Sequence, residues 1–358
     1  MSASRKSWDM PVFAVLVALA LAAPQLAYPV FLMQVLCFAL FACAFNLLVG
    51  YVGLLSFGHA MFFGFAAYIA GHLAKVGTIE LPVGIPFVWR TWVTIPLPPL
   101  TPELAILAGT AVAALLGLIV GLIAIRRQGI YFAMVTLALA QMVYFLCVQA
   151  PFTHGEDGIQ AIPRRPLFGV LDVHNDFVFY YVVLAIFCFG FLIIYRTIHS
   201  PFGQVLKAIR ENEARAVSLG YAVDRFKLMA FVLSATLAGL AGATKAMVFQ
   251  LASLTDVQWQ MSGEVVLMTL VGGLGTVFGP IVGAGIILAM QTYLASVGEL
   301  VLEIRGFVLR VNFGEWVLVI QGVIFVVTVL IFRRGIVGEL LALADRLGRK
   351  PGLTPPSH

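Results

Sequence analysis

Apolar residues in this chain fall in long runs separated by short polar stretches. A helix that crosses a bilayer needs about 20 mostly apolar residues, and runs of that size recur from Pro11 to Phe332. The pattern predicts spans over Pro11 to Tyr28, Val30 to Gly50, Phe57 to Val76, Leu104 to Ile125, Tyr131 to Ala150, Phe177 to Arg196, Lys227 to Leu251, Gly263 to Leu274, Ile281 to Val297 and Phe313 to Phe332. The region from Gly263 to Val297 also fits one full span plus a re-entrant half-helix, which leaves eight or nine spans open.

Polar stretches separate these runs at Val76 to Glu103, Pro151 to Asp176 and Arg196 to Lys227. Each is too short to bury a core of its own, so they read as loops and one docking element. Glycine interrupts two apolar runs in similar fashion, Leu48-Val-Gly-Tyr-Val-Gly-Leu-Leu-Ser-Phe-Gly58 and Leu270-Val-Gly-Gly-Leu-Gly-Thr-Val-Phe-Gly279, which match with one residue deleted. Glycine-broken helices at corresponding places in two halves can mark a transport pathway. Close helix packing through small residues gives the same signature.

Composition agrees with the spans: 61% of the 358 residues are apolar and 11% charged, against about a quarter charged in soluble proteins. The cations set an orientation, because short cytoplasmic loops accumulate Lys and Arg. With the N-terminus inside, 15 of the 22 fall on inner segments: Arg5 and Lys6, Arg126 and Arg127, six from Arg196 to Lys227, and five from Arg333 to Lys350. Outer loops then hold Arg90, Arg164, Arg165, Arg305 and Arg310, and both termini are expected in the cytoplasm. The net charge of +5 therefore reports topology and calls for no nucleic-acid partner. Arg5 and Lys6 before an apolar run could also head a cleaved leader, but the apolar character resumes at Val30 and a retained first span is simpler. Cys37, Cys43, Cys147 and Cys188 all lie in apolar runs and read as buried thiols; no histidine stands at metal-ligand spacing.

The stretch from Ser200 to Tyr221 has helical order outside the spans. Ser200 suits a helix cap and Pro201 the first helical position. Phe202, Val205, Leu206 and Ile209 share one face, Lys207 with Glu211 and Glu211 with Arg215 are i,i+4 pairs, and Gly220 is placed to stop a second helix. A solvated helix lying at the lipid headgroups has the same pattern.

Within this stretch, Glu213-Ala-Arg-Ala-Val-Ser-Leu-Gly220 resembles the loop by which ABC import permeases dock into their ATPases. More broadly, Asn46 to His59, Tyr131-Phe-Ala-Met-Val-Thr-Leu137, Gly155-Glu-Asp-Gly158, Lys207-Ala-Ile-Arg-Glu-Asn-Glu213, Lys227-Leu-Met-Ala-Phe231 and Val271-Gly-Gly-Leu-Gly275 resemble, in order, the LivM-type permease of branched-chain amino acid importers. The resemblance covers Asn46 to Gly335. Lys245, and an outer loop from Leu81 to Pro99 rich in proline and tryptophan, depart from it.

The resemblance implies an all-α polytopic bundle in the bacterial inner membrane, with a cytoplasmic N-terminus (1–10), a permease domain (11–332, coupling loop 197–226) and a cytoplasmic tail (333–358). It also implies a second, LivH-like permease, two cytosolic ATP-binding subunits and an extracytoplasmic solute-binding protein. The chain has no GxxxxGK[ST] phosphate loop, so ATP is expected on partner subunits and no cofactor on this one. Arg210, Glu211, Glu213, Ala214 and Gly220 are the expected ATPase-coupling residues, with the three charged ones facing the ATPase. Asn46, Ser56, His59, Gln141, Glu264 and Gln291 are candidate pathway residues because polar groups within a span are costly. Lys245 is a conceivable partner for Glu264, and the loop Thr153 to Gly158 either meets the binding protein or forms a solvated turn.

Two other classes compete. An intramembrane serine hydrolase built on Ser56 and His59 would need glycine at position 54 for a GxSxG elbow, and leucine is there. An ion-gradient-driven carrier shares the spans and broken helices but has no need of the capped, charged loop. Leucine-like amino acids lead among the solutes, with urea, short amides and aromatic acids as alternatives.

Overall fold

The computed structural model describes residues 15–25, 27–76, 78–83, 91–96, 98–167, 169, 173–297, 299–304, 307–331 and 335–339. The expectations for Arg5, Lys6, Arg90, Arg305, Arg333 and the tail beyond Glu339 lie outside these residues. The chain divides into two compact units, residues 1–265 and 266–358.

In the first unit the helices are α1 (Val15–Gln25), α2 (Pro29–Asn46), α3 (His59–Lys75), α4 (Pro102–Ala124), α5 (Ile130–Gln149), α6 (Asp176–His199), the shorter α7 (Pro201–Glu211) and α8 (Glu213–Ser218), and α9 (Val223–Phe249). A further helix, α10 (Trp259–Gly272), begins here and runs across the division. Sequence chemistry sets the ends of several. Proline occupies the first turn of α2, α4 and α7, where its missing N–H has no partner to lose. Asn175 caps α6 by accepting from the Phe177 N–H at 2.9 Å.

Among the described residues, five helices are long and apolar enough to cross a membrane: α2 with its extension to Val52, α4, α5, α6 and α9. They differ in surroundings. The apolar stretch of α2 is 89% buried, so it forms the centre of the unit, whereas α4 and α5 are each 33% buried and present Leu107, Leu115, Met134, Met142 and Phe145 outward. Helix α9 packs against α2, α3 and α4, and small residues allow the backbones to approach. A side chain at Gly242 would strike the Phe63 carbonyl, and a Cβ at Gly109 would come within 2.6 Å of the Ala66 carbonyl.

The second unit contains the end of α10, then α11 (Gly279–Val297) and α12 (Phe313–Ile331), which pack together. With 14 residues, α10 rises only about 21 Å, short of a bilayer's hydrocarbon thickness.

Two expectations need correction. The structure is mostly helical but not wholly so. The stretches expected as outer loops contain the antiparallel hairpins β1 (Thr78–Val83) with β2 (Thr91–Pro96) and β5 (Glu299–Ile304) with β6 (Phe307–Asn312). Their valine-, isoleucine- and threonine-rich alternation favours a pleated ladder. Residues Leu251 and Ala252, expected at the end of a span, form β4 and pair with β3 (Ile159–Gln160). Gln250 ends α9 in a left-handed conformation (φ 54°), which turns the chain out of the helix.

Candidate functional site

Beyond Asn46, α2 widens into a π-helical turn, Leu47–Val52, before Gly53 reverses the chain at φ 82°. Such a turn changes the hydrogen-bond spacing and leaves carbonyls that side chains can take up. Two side chains do so. Ser234 of α9 donates to the Ala44 carbonyl at 2.5 Å, and Arg210 of α7 donates to the Gly50 carbonyl. Because the Ser234 proton is committed to Ala44, its oxygen accepts from Nε2 of His59 at 2.9 Å. This places the imidazole proton on Nε2, and Nδ1 has no hydrogen-bond partner among the described residues. The ring is fully buried with Phe45, Phe62 and Phe231 set edge-on around it.

The next helix starts on side-chain oxygens as well. Ser56 accepts from the Gly58 N–H at 3.2 Å, and Ser262 of α10 accepts from the Ala60 N–H at 2.9 Å. Asn46, Ser56 and His59 thus gather at one break between α2 and α3, all buried.

The loop beside this break is a small folded unit. Ser200 accepts from the Gly203 N–H at 3.3 Å, as its sequence position predicts. Asn212 then caps α8 by accepting from the Arg215 N–H at 3.0 Å. At the end of α8 the Gly220 N–H bonds to the Val217 carbonyl and the Tyr221 N–H to the Ala216 carbonyl, a Schellman closure with Gly220 at φ 85°. Ile209, Ala216 and Val223 form its core, with Val205 and Phe226 packed on them. The chain breaks direction at Asn212, so Glu211 and Arg215 do not lie along one continuous helix as their spacing suggests.

The expected coupling residues of this loop differ in their surroundings. Arg210, Glu211, Ala214 and Gly220 are exposed. Glu213 instead pairs with Lys227 of α9 at 2.7 Å and accepts from Gln128 at 2.9 Å, while the Arg210 guanidinium turns back to Gly50. The Lys207 ammonium lies 5.6 Å from the centre of the Tyr51 ring, and partial burial pulls it below the usual lysine range.

At the opposite end of the first unit, Lys245 pairs with Asp256 at 2.6 Å, and Ser253 also donates to Asp256 at 3.2 Å. The partner of Lys245 is therefore Asp256 and not Glu264. Arg164 bridges Asp176 at 2.7 Å and the Val248 carbonyl at 2.5 Å, and Lys75 donates to the Gln160 carbonyl at 2.6 Å. Around them Lys75, His154, Asp157, Gly158 and Gln160 line an open groove of about 320 Å³. Thr153, at the start of the acidic loop, donates to the Cys147 and Ala150 carbonyls and anchors that loop to α5.

The remaining candidates lie elsewhere. Gln141 is half-buried on α5 and Glu264 half-buried on α10. In the second unit Gln291 donates to Gln321 at 3.2 Å, joining α11 to α12. Sequence reasoning did not single out Ser234, Ser262, Asn212, Asp256 or Gln321. A serine within an apolar run was the available signal for Ser234, and an acid eleven residues past an isolated lysine for Asp256. Among the described residues no group of three His, Cys, Asp or Glu side chains is placed to hold a metal.

Comparison with known proteins gives these clusters a context. Residues 29–329 match the family model described as branched-chain amino acid transport system, permease component. The chain is 28% identical over 277 residues to the high-affinity branched-chain amino acid transport system permease protein LivM of Salmonella typhimurium, covering 71% of this chain and 60% of that protein. It is 26% identical over 210 residues to a probable LivM permease of Methanocaldococcus jannaschii (55% and 60%), and 29% identical over 171 residues to that organism's probable LivH permease (45% and 48%). The chain thus spans about three-fifths of the length of the LivM relatives it matches. No solved structure matches. With most of its length matched and five bilayer-length helices among its described residues, the chain belongs to the family of branched-chain amino acid ABC transport permeases, LivM type, and is a multi-pass membrane protein.

Proposed function

We propose that this chain is the translocation subunit of an ATP-driven importer that carries branched-chain amino acids, or related small polar solutes, across the bacterial inner membrane. In this reading it pairs with a LivH-like permease, two ATP-binding subunits grip the loop from Ser200 to Tyr221, and a binding protein delivers solute to the opposite end. Both termini then lie in the cytoplasm, in keeping with the cation distribution. ATP is bound by the partners, and this chain carries no cofactor.

The observation that carries the reading is the loop itself. It has two caps, a Schellman closure and a core of its own, yet keeps Glu211, Ala214 and Arg215 exposed. A preformed surface of this kind suits a protein partner, since binding to it orders little additional chain. The partner's force has a path inward, because α7 contacts the π-helical turn where Asn46, Ser56 and His59 gather. ATP can drive that change only by favouring one of two states of the assembly over the other.

Charge reversal at the two exposed positions, Glu211→Arg with Arg215→Glu, tests the docking. Co-purification of the ATP-binding subunits should fall, and uptake of radiolabelled leucine with it, by about tenfold or more, as expected when rim charges meet like charges. Intact assembly and uptake would remove the loop from the interface. Uptake that follows an ion gradient without ATP would favour the secondary-carrier reading.

A further inference from the structure

The contact between α7 and the broken end of α2 is unusual in what it joins. The Gly53 and Leu54 N–H groups both go to the Leu48 carbonyl, at 3.0 and 3.3 Å, so the turn closes on Leu48. The Gly50 carbonyl within that turn is met by a charged donor, the guanidinium of Arg210. The arginine stem lies across Gly53, where a Cβ would stand 3.1 Å from Arg210 Cγ, so the glycine both turns the chain and makes room for this side chain. One turn back on α7, Lys207 sits over Tyr51. Residues three apart share a helix face, so one stripe of α7 holds two neighbouring residues of the π-helical turn.

Other contacts also seat the loop. Leu206 and Ile209 are buried, Phe202 stacks on Phe226 with ring centres 5.5 Å apart, and Glu213 is paired to Lys227 at the base of α9. Arg210 therefore adds to the packing of the loop a contact that reaches the break itself.

We infer that Arg210, seconded by Lys207, is a positioning residue that fastens the glycine break of α2 to the 200–222 loop, so that the two shift as one body during transport. The inference rests on the proposed docking of ATP-binding subunits to that loop. It adds which residue transmits the motion and which backbone segment receives it.

The test uses the full complex in proteoliposomes, with radiolabelled leucine, the binding protein and ATP. Arg210→Ala should still co-purify with its partners while the leucine taken up per ATP hydrolysed falls at least about tenfold, within the ~5–150-fold range of coupling between sites. Arg210→Lys, which keeps a cationic donor, should recover part of the uptake. In a second experiment, cysteines at Tyr51 and Lys207 are joined by a short thiol cross-linker in a chain whose four native cysteines are replaced by alanine. Two groups that move together should tolerate the bridge, with uptake within about twofold of the unbridged pair on the same scale of coupling. Unchanged uptake per ATP hydrolysed in Arg210→Ala, loss of the ATP-binding subunits from that variant, or arrest by the bridge would each overturn the link. Absence of ATP-dependent uptake in the wild-type complex would overturn the transport reading, and with it the coupling role that rests on it.

Discussion

At Leu47–Val52 the chain opens into a wide turn, and carbonyls at and just before it are taken up from other helices, Gly50 by Arg210 and Ala44, at the end of α2, by Ser234. Between Gly272 and Gly279, in the second unit, the backbone folds closely on itself. Gly273 and Gly275 take φ 124° and 76°, and Thr276 accepts from the Gly279 N–H at 3.0 Å while donating to the Gly273 carbonyl at 2.6 Å. A side chain at Gly272 would strike the Gly279 carbonyl, and one at Gly283 the Met268 carbonyl. Glycines in and beside two segments of nearly the same spacing are thus used differently: Gly53 makes room for a clamping side chain, Gly272 and Gly283 for backbone against backbone. A clamp can be released by moving a side chain, whereas backbone contact cannot be relieved without parting the helices.

The contrast can be broken by substitution. The largest effect is expected from Gly283→Ala, whose methyl group meets backbone; a loss of about 3 kcal/mol, at the upper end of overpacking costs, should appear as a lower midpoint for thermal unfolding in detergent. Wild-type stability there would mean that the second segment is as adaptable as the first.

Next comes Ser234→Ala, which leaves the His59 Nε2–H and the Ala44 carbonyl without their shared partner. About 1–3 kcal/mol is expected from the unpaired buried groups, read by the same thermal measurement. No change would show that another donor reaches Ala44, and the clamp description of the first segment would fail.

Gly53→Ala should cost about 1–2 kcal/mol for placing a side chain at positive φ, with a disproportionate fall in uptake because the methyl group displaces Arg210. Smallest is Thr276→Val, where loss of the cap should cost about 1 kcal/mol and leave uptake nearly intact. A Thr276→Val variant that transports poorly at normal stability would place the second segment in the working pathway too.

Much of this architecture was legible before any coordinates. Long apolar runs located the bilayer-length helices to within a few residues, because burying or immersing 20 apolar side chains outweighs any local preference. Local chemistry placed Ser200 and Gly220 correctly in the loop for the same reason that caps are readable: donor, acceptor and turn residue lie within a few positions of each other. What could not be read were partners distant in sequence. Ser234 lies 190 residues from Ala44, and Arg210 lies 160 from Gly50. The charge on Arg210 and Glu213 suggested outward-facing groups; Arg210 is exposed and Glu213 half-buried, and the in-chain partners that both also reach lie too far off in sequence to be read. Lys245 drew attention as an isolated lysine, but only the turn after α9 brings Asp256 to it. The hairpins were hidden because their alternation is short and lies between much stronger apolar signals.

Three non-glycine residues of the described chain hold positive φ: His154 at 59°, Ala161 at 54° and Gln250 at 54°. All lie at the groove end of the first unit, where the Ile162 N–H bonds to the Gln250 carbonyl. Each stores about 1–3 kcal/mol of backbone strain, so this rim is held rigid by the ladder and ion pairs around it at a cost to overall stability. Anyone seeking a hardier protein for reconstitution would begin here, with glycine at Ala161 and Gln250, and leave the clamped end alone.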